Sequence, residues 1–184
     1  MFDRTIALLM LLLFSPVFLI IMLFIFFDDG FPILFSQKRV GVNYSFFNIY
    51  KFRTMKKSTP NVATHLLENP SQYILKVGSF LRKLSLDELP NLINILKGDM
   101  VFVGPRPALY NQDDLMALRV TAGVEKLKPG LTGWAQINGR DEISLEEKVA
   151  LEKEYLEKKC FSLDVKIFFM TFTSAFIKKQ GVSH

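Results

Sequence analysis

The 184-residue chain holds one cysteine, Cys160, and two histidines, His65 and His184. A lone cysteine excludes an internal disulfide and fits a reducing compartment. Two histidines cannot build a His-rich metal centre. A Ser-His-Asp triad would rest on His65, which sits in a polar stretch without a nucleophile motif and reads as a surface residue. Neither a P-loop nor a G-x-G-x-x-G pattern occurs, which argues against ATP and dinucleotide enzymes. Internal repeats, heptad arrays and low-complexity tracts are lacking as well. Charge is sparse, at 22% of residues against 49% hydrophobic. The length supports one domain rather than a multidomain enzyme, and the apolar content excludes global disorder.

Phenylalanine is what the chain has in excess: 11 of its 18 lie in the first 52 positions. From Ile6 to Phe27 run 22 residues without a charge. This run is too long for a signal peptide, and Asp28-Asp29-Gly30-Phe31 follows it instead of a small-residue cleavage site. A straight helix over it would measure about 33 Å, enough to cross a bilayer core of about 30 Å. Ser15-Pro16 at its centre predicts a kink, because proline removes a backbone donor and crowds the preceding turn. The arms Ile6–Ser15 and Val17–Phe27, each about 15 Å long, suit a helix that dips to mid-bilayer and returns. Taken alone, the residues favour a kinked spanning helix, since such helices tolerate proline. Arg4 before the run, and Lys38, Arg39, Lys51 and Arg53 after it, put the main domain on the cytoplasmic side in either topology. The net charge of +5 suits an anionic partner, and without a nucleic-acid motif anionic lipid is favoured over nucleic acid.

Beyond the anchor, Ile33–Val40 and Phe46–Met55 read as a β-hairpin around Gly41-Val42-Asn43. Alternation puts Phe47, Ile49, Lys51 and Arg53 on one face, and two cations there suggest an anion contact or a solvated edge. Lys56–Gln72 is a polar surface excursion. Ile74, Val77, Phe80, Leu81 and Leu84 recur at helical spacing. Asn91–Lys97 is an apolar helix stopped by Gly98. Gly98–Gly139 holds nine of the chain's 18 Gly and Pro, with a helix expected near Asn111–Thr121. Ser144-Leu145-Glu146-Glu147 is a capping box opening a charged helix to about Lys159. Leu163–Lys179 suits either a core helix or one lying in the membrane interface.

Asp87-Glu88 is the most suggestive pair. Alone, Ser85-x-x-Glu88 favours a capping box, because acids are common in first turns. The same residues suit chemistry: an aspartate can attack phosphorus, and a neighbouring glutamate can hold Mg²⁺. Arg106 lies between the prolines of GPRP (Gly104–Pro107), so its guanidinium fork sits on stiff backbone. Arg140 ends a Gly-rich stretch, and Arg82 lies five residues before Asp87. Each arginine singly reads as a surface ion pair. Together, beside the carboxylates, they make a case for phosphate binding.

These residues stand in an order that resembles the monotopic phosphoglycosyl transferases, the bacterial sugar transferase family. The resemblance covers the Ser15-Pro16 break, YKFRTM (Tyr50–Met55), LSLDELPNLINILKGDMVFVGPRP (Leu84–Pro107), KPGLTGWAQINGR (Lys128–Arg140), LDVK (Leu163–Lys166) and GVS (Gly181–Ser183). It implies an α+β, mainly helical membrane-associated domain with a small β-hairpin, interfacial amphipathic helices and a re-entrant helix kinked at Ser15-Pro16. Residues 1–30 would be the anchor and 31–184 the catalytic domain, on the cytoplasmic face of the bacterial inner membrane. The implied reaction moves a sugar 1-phosphate from a UDP-sugar to undecaprenyl phosphate, releases UMP and uses Mg²⁺. In that scheme Asp87 is the nucleophile of a ping-pong route and Glu88 binds the metal, with Asp87 beside it. Lys51, Arg82, Arg106 and Arg140 bind diphosphate or lipid phosphate. Asp164 matches an acidic family position read as structural or anchoring, and Glu152 stands where many members have Asp. The implied partners are UDP-sugar, undecaprenyl phosphate and bilayer lipids, with a homodimer left open. The rival readings are a glycosyltransferase that releases UDP and a non-catalytic lipid-binding adaptor.

Overall fold

The structure, a computed structural model, describes residues 2–60, 69–139 and 143–177. It is α+β and mainly helical, as expected. The apolar run forms two helices, α1 (Phe2–Leu13) and α2 (Ser15–Asp29), bent by 62° at Phe14. Pro16 sits in the first turn of α2, where its missing N–H costs nothing, so the chain restarts a helix there instead of continuing one. Ser15 Oγ donates to the Leu12 carbonyl at 2.8 Å, taking one of the acceptors that the break frees. Among the described residues no single helix is long and apolar enough to cross a membrane, while this bent pair passes by length and composition together.

Both ends of the pair dock on the same body. At the start, Asp3 accepts the Phe102 backbone N–H at 3.2 Å, and Arg4 donates to the Lys97 carbonyl at 3.0 Å. At the far end, Asp28 accepts from the Lys76 N–H at 2.7 Å, and Asp29 pairs with Arg53 at 3.2 Å. Ala7 joins a core cluster with Ile49, Leu92, Ile95, Phe102, Tyr155 and Ile167. Ile21 and Ile25 join another with Ile33, Phe52, Leu75 and Leu81. The remaining faces of the pair expose Leu9, Leu12, Leu13, Leu19, Ile20, Leu23 and Phe24. Apolar residues exposed together in this way mark a membrane or protein contact.

The predicted hairpin is present: β1 (Leu34–Val40) pairs antiparallel with β2 (Phe46–Phe52) around a 3-10 turn at Val42–Tyr44. Its second strand is shorter than expected and stops before Arg53. That side chain pairs with Asp29 and is largely buried, yet it lines the same cleft as Lys51. The helix expected from Ile74 begins only at Gly78, giving α3 (Gly78–Lys83), because Ile74 bridges Met55 in extended conformation. The next helix, α4 (Asn91–Lys97), ends as the sequence indicates, with Gly98 in the left-handed region at φ 92°.

The Gly- and Pro-rich stretch hides structure that composition concealed. It contains a parallel pair, β3 (Val101–Val103) with β4 (Gly130–Thr132), joined through α5 (Asp113–Ala122) and followed by α6 (Trp134–Asn138). Gly104 and Gly130 are needed there, since a Cβ on either would run into backbone of the opposite segment. The capping box at Ser144 forms as read and opens α7 (Leu145–Lys158). The last helix, α8 (Phe161–Ile177), buries Ile167 and exposes Phe161, Val165 and Phe169 at i, i+4 spacing.

Candidate active site

Asp87 and Glu88 sit in a 3-10 turn, Leu86–Glu88, one turn ahead of α4 and not in its first turn. The capping-box reading of Ser85 and Glu88 is wrong. Ser85 is left-handed at φ 55°, and its hydroxyl makes no cap bond; only its carbonyl accepts the Glu88 N–H, at 3.2 Å. Leu86 and Leu89 pack into the core at either side of the pair, which turns the carboxylates toward a cleft.

That cleft encloses about 880 Å³. Lys51 reaches it from β2, Arg82 from the last turn of α3, and Arg106 from the loop after β3. Lys51 Nζ donates to Glu88 Oε1 at 2.6 Å, and Arg106 Nη2 stands 3.9 Å from the same oxygen. Arg82 Nε donates to the buried Thr54 hydroxyl at 2.8 Å, which fixes the guanidinium. Arg140 and His65 lie outside the described residues. The structure thus brings five of the predicted residues, Lys51, Arg82, Asp87, Glu88 and Arg106, into one cleft.

The two carboxylates differ in their electrostatics. Burial, then the neighbouring Glu88 charge, raises the Asp87 carboxyl above its usual range, and Lys51 and Arg82 only partly offset this. Burial also acts to raise Glu88. There the charges of Lys51 and Arg106, the Lys51 hydrogen bond and Arg39 outweigh it, and the carboxyl ends below its usual range. Among the described residues Asp87 forms no ion pair, whereas Glu88 is held by Lys51.

Among the cleft residues that escaped the sequence reading are Arg39 and Gln37 on β1. A signal existed. In this hairpin Phe35 lies opposite Lys51 and Arg39 opposite Phe47, so alternation puts Gln37 and Arg39 on the Lys51 face. The cleft is also lined by Thr132, Gln136 and Thr171, together with Lys148 and Glu152 of α7. Gln136 belongs to a stretch read as loop.

The family model described as bacterial sugar transferase matches residues 1–178. The chain belongs to the bacterial sugar transferase family. An uncharacterized sugar transferase, EpsL of Bacillus subtilis, is 38% identical over 186 residues, spanning 100% of this chain and 91% of its own. The exopolysaccharide production protein ExoY of Rhizobium meliloti is 39% identical, spanning 92% of this chain and 81% of its own. The UDP-glucose:undecaprenyl-phosphate glucose-1-phosphate transferase of Escherichia coli is also 39% identical, over 97% of this chain but only 40% of that longer protein. The chain is an enzyme of the phosphoglycosyl transferase type.

Two acidic residues of this transferase have structural partners. Glu152 on α7 is 2% exposed and takes two N–H groups of Arg119, which is buried beside it. Arg119 also donates to the Arg106 carbonyl at 2.9 Å. The stiffness of the GPRP loop therefore comes from a buried ion pair as well as from its prolines. Asp164 on α8 accepts the Tyr155 hydroxyl at 2.6 Å, joining α8 to α7.

Asp87 and Glu88 are the hard oxygen donors of the cleft near its cations, and no cluster of three or more metal-binding side chains exists among the described residues. That donor set suits Mg²⁺, which keeps waters and binds through one or two carboxylates plus substrate phosphates. A dedicated protein cage is not what this ion needs.

Proposed function

We propose that the enzyme transfers a sugar 1-phosphate from a UDP-sugar to undecaprenyl phosphate, releasing UMP through a covalent phosphosugar on Asp87. The observation that carries this reading is the Asp87 carboxylate, without an ion pair among the described residues, beside Lys51, Arg82 and Arg106 in one cleft. An Asp87 oxygen forms a bond to the β-phosphorus while the bond from that phosphorus to the bridging oxygen breaks, and UMP leaves with the electron pair. An oxygen of the lipid phosphate then attacks the same phosphorus, and the Asp87 carboxylate is expelled. Neither step needs a strong base, because both nucleophiles are anions. The cations hold phosphoryl oxygens and take up charge as it shifts. Glu88, with Asp87 beside it, would hold Mg²⁺, which when bound neutralises charge on the diphosphate.

The named acceptors and donors of the relatives support the substrate class. The product distinguishes this reading from a glycosyltransferase. Purified protein with Mg²⁺, a UDP-sugar panel and undecaprenyl phosphate is expected to release UMP. Release of UDP would instead mean transfer of sugar without its phosphate.

We further infer that α1 and α2 re-enter the membrane and that the active site lies on the cytoplasmic face of the inner membrane, with residues 1–30 as anchor. A spanning helix sets its ends about 30 Å apart on opposite faces. Here Asp3 and Arg4 at one end, and Asp28 and Asp29 at the other, bind the same folded body. The two helices, about 18 Å and 22 Å long, are each shorter than the bilayer core. Their exposed leucines and phenylalanines fit lipid contact. A Phe2→Cys variant in a Cys160→Ser background should resist a membrane-impermeant maleimide in whole cells and react in inverted vesicles. Labelling from the periplasm would mean that the helix spans.

A further inference from the structure

Arg39 is a guanidinium without a carboxylate. Its Nη1 donates to the Pro107 carbonyl at 3.0 Å, and its Nη2 donates to Gln37 Oε1 at 2.6 Å. Its Nε is buried and has no hydrogen-bond partner among the described residues, and the side chain forms no ion pair among them. Half-burying a cation on neutral acceptors is costly unless an anion completes the site. A strap between β1 and the loop after GPRP does not explain it. Backbone bonds already make that join, through the Arg39–Leu109 bridge and the Val40 N–H to the Ala108 carbonyl at 3.0 Å.

The cleft supplies the reason. Arg39 faces the same space as Arg106, Asp87 and Glu88. Arg106 is close enough to act on it: burial first, then that like charge, pulls Arg39 down to about 10, where it stays protonated at neutral pH. Around the carboxylate pair Lys51, Arg82, Arg106 and Arg39 outnumber Asp87 and Glu88, so the cleft holds excess positive charge. A dianionic diphosphate, or a lipid phosphate, balances it.

We propose that Arg39 binds a phosphoryl oxygen of the substrate through its free N–H groups, with Gln37 as the positioning residue that aims the guanidinium. Nη1 and Nη2 each carry a second N–H beyond the bonds to Pro107 and Gln37, and these are donors left for the anion. The inference rests on the phosphoglycosyl transfer reading, and it adds a fourth described cation to the phosphate site. The phosphate belongs either to the sugar nucleotide or to the lipid, and the two half-reactions separate these sources.

The test titrates Arg39→Gln in two arms. One follows the UMP burst without acceptor against UDP-sugar concentration, and the other follows lipid product against undecaprenyl phosphate. Loss of a charge-assisted hydrogen bond should raise the half-saturating concentration roughly 10- to 100-fold in one arm. The first arm responds if the bound phosphate is the donor's, and the second if it is the lipid's. Gln37→Ala should shift the same arm by a smaller factor, with the maximal rate little changed. Arg39→Lys should recover part of the loss while keeping the charge, and it replaces Arg39→Gln in both titrations if that variant does not fold. Unchanged half-saturation in both arms overturns the proposal, as does a lowered thermal midpoint with both arms unmoved. Wild-type protein that releases UDP, or nothing, refutes the transfer reading itself. Active wild type with unmoved variants refutes only the role of Arg39.

Discussion

Asp87→Asn should lower UMP release by roughly 10³-fold or more, the scale expected when a nucleophile is removed, without lowering the thermal midpoint. An amide cannot form the acyl phosphate, so the chemical step is lost outright. The stability half follows from linkage. Burial and Glu88 raise the Asp87 carboxyl above its unfolded value, so the folded state holds this proton more tightly than the unfolded one. Stability from this group falls as pH rises through that window, and at neutral pH the ionised carboxylate is a net cost to folding. Asparagine removes the cost. Glu88→Gln has the opposite sign. Glu88 lies below its usual range because of Lys51, Arg106 and Arg39, so its ionised form stabilises the fold above its unfolded value. Replacing it leaves Lys51 without its 2.6 Å partner, and the midpoint at neutral pH should fall. Circular-dichroism melts of both variants beside the UMP assay check the pair. A marked loss of stability in Asp87→Asn would make Asp87 a structural residue.

Arg119→Met should destabilise the fold by about 3–5 kcal/mol, because it strands the Glu152 carboxylate in the interior without its partner. Glu152 is 2% exposed, and its two oxygens are taken up by Arg119, so no water shell replaces the lost bonds. Arg119→Met/Glu152→Leu, which removes both charges and keeps volume, should recover most of the loss. Urea unfolding measures this. A single variant within about 1 kcal/mol of wild type would mean that Glu152 is not an ionised buried partner. The double variant also separates stability from positioning. Arg119 holds the Arg106 carbonyl at 2.9 Å, so a refolded double variant should still lose phosphate affinity through a looser Arg106.

The legible parts of the sequence were those governed by local rules. Gly98 ended α4 where it was expected to, since only a residue that tolerates positive φ closes the helix there. The Ser144 box capped α7 because both of its bonds lie within one turn. The same rule failed at Ser85, where core packing of Leu86 and Leu89 set the backbone first and left the hydroxyl unused. Long-range pairing was the other blind spot. The strands Val101–Val103 and Gly130–Thr132 are three residues each, too short for alternation to register, and they pair in parallel across α5. At the site, Lys51, Arg82, Asp87, Glu88 and Arg106 were readable from motif and resemblance. Arg39 was readable only in part: alternation puts it on the Lys51 face, but its place in the cleft depends on which face of the hairpin meets a turn some fifty residues away. The partner of Glu152 likewise lay 33 residues off, beyond any local pattern.

The covalent step on Asp87 is tested most directly without the acceptor. Enzyme mixed with Mg²⁺ and a UDP-sugar labelled in its β-phosphate, with no lipid phosphate present, should release one UMP per active site. It should also retain the labelled phosphosugar on the peptide containing Asp87. UMP formation that requires undecaprenyl phosphate, or a label on any other residue, would contradict the aspartyl intermediate.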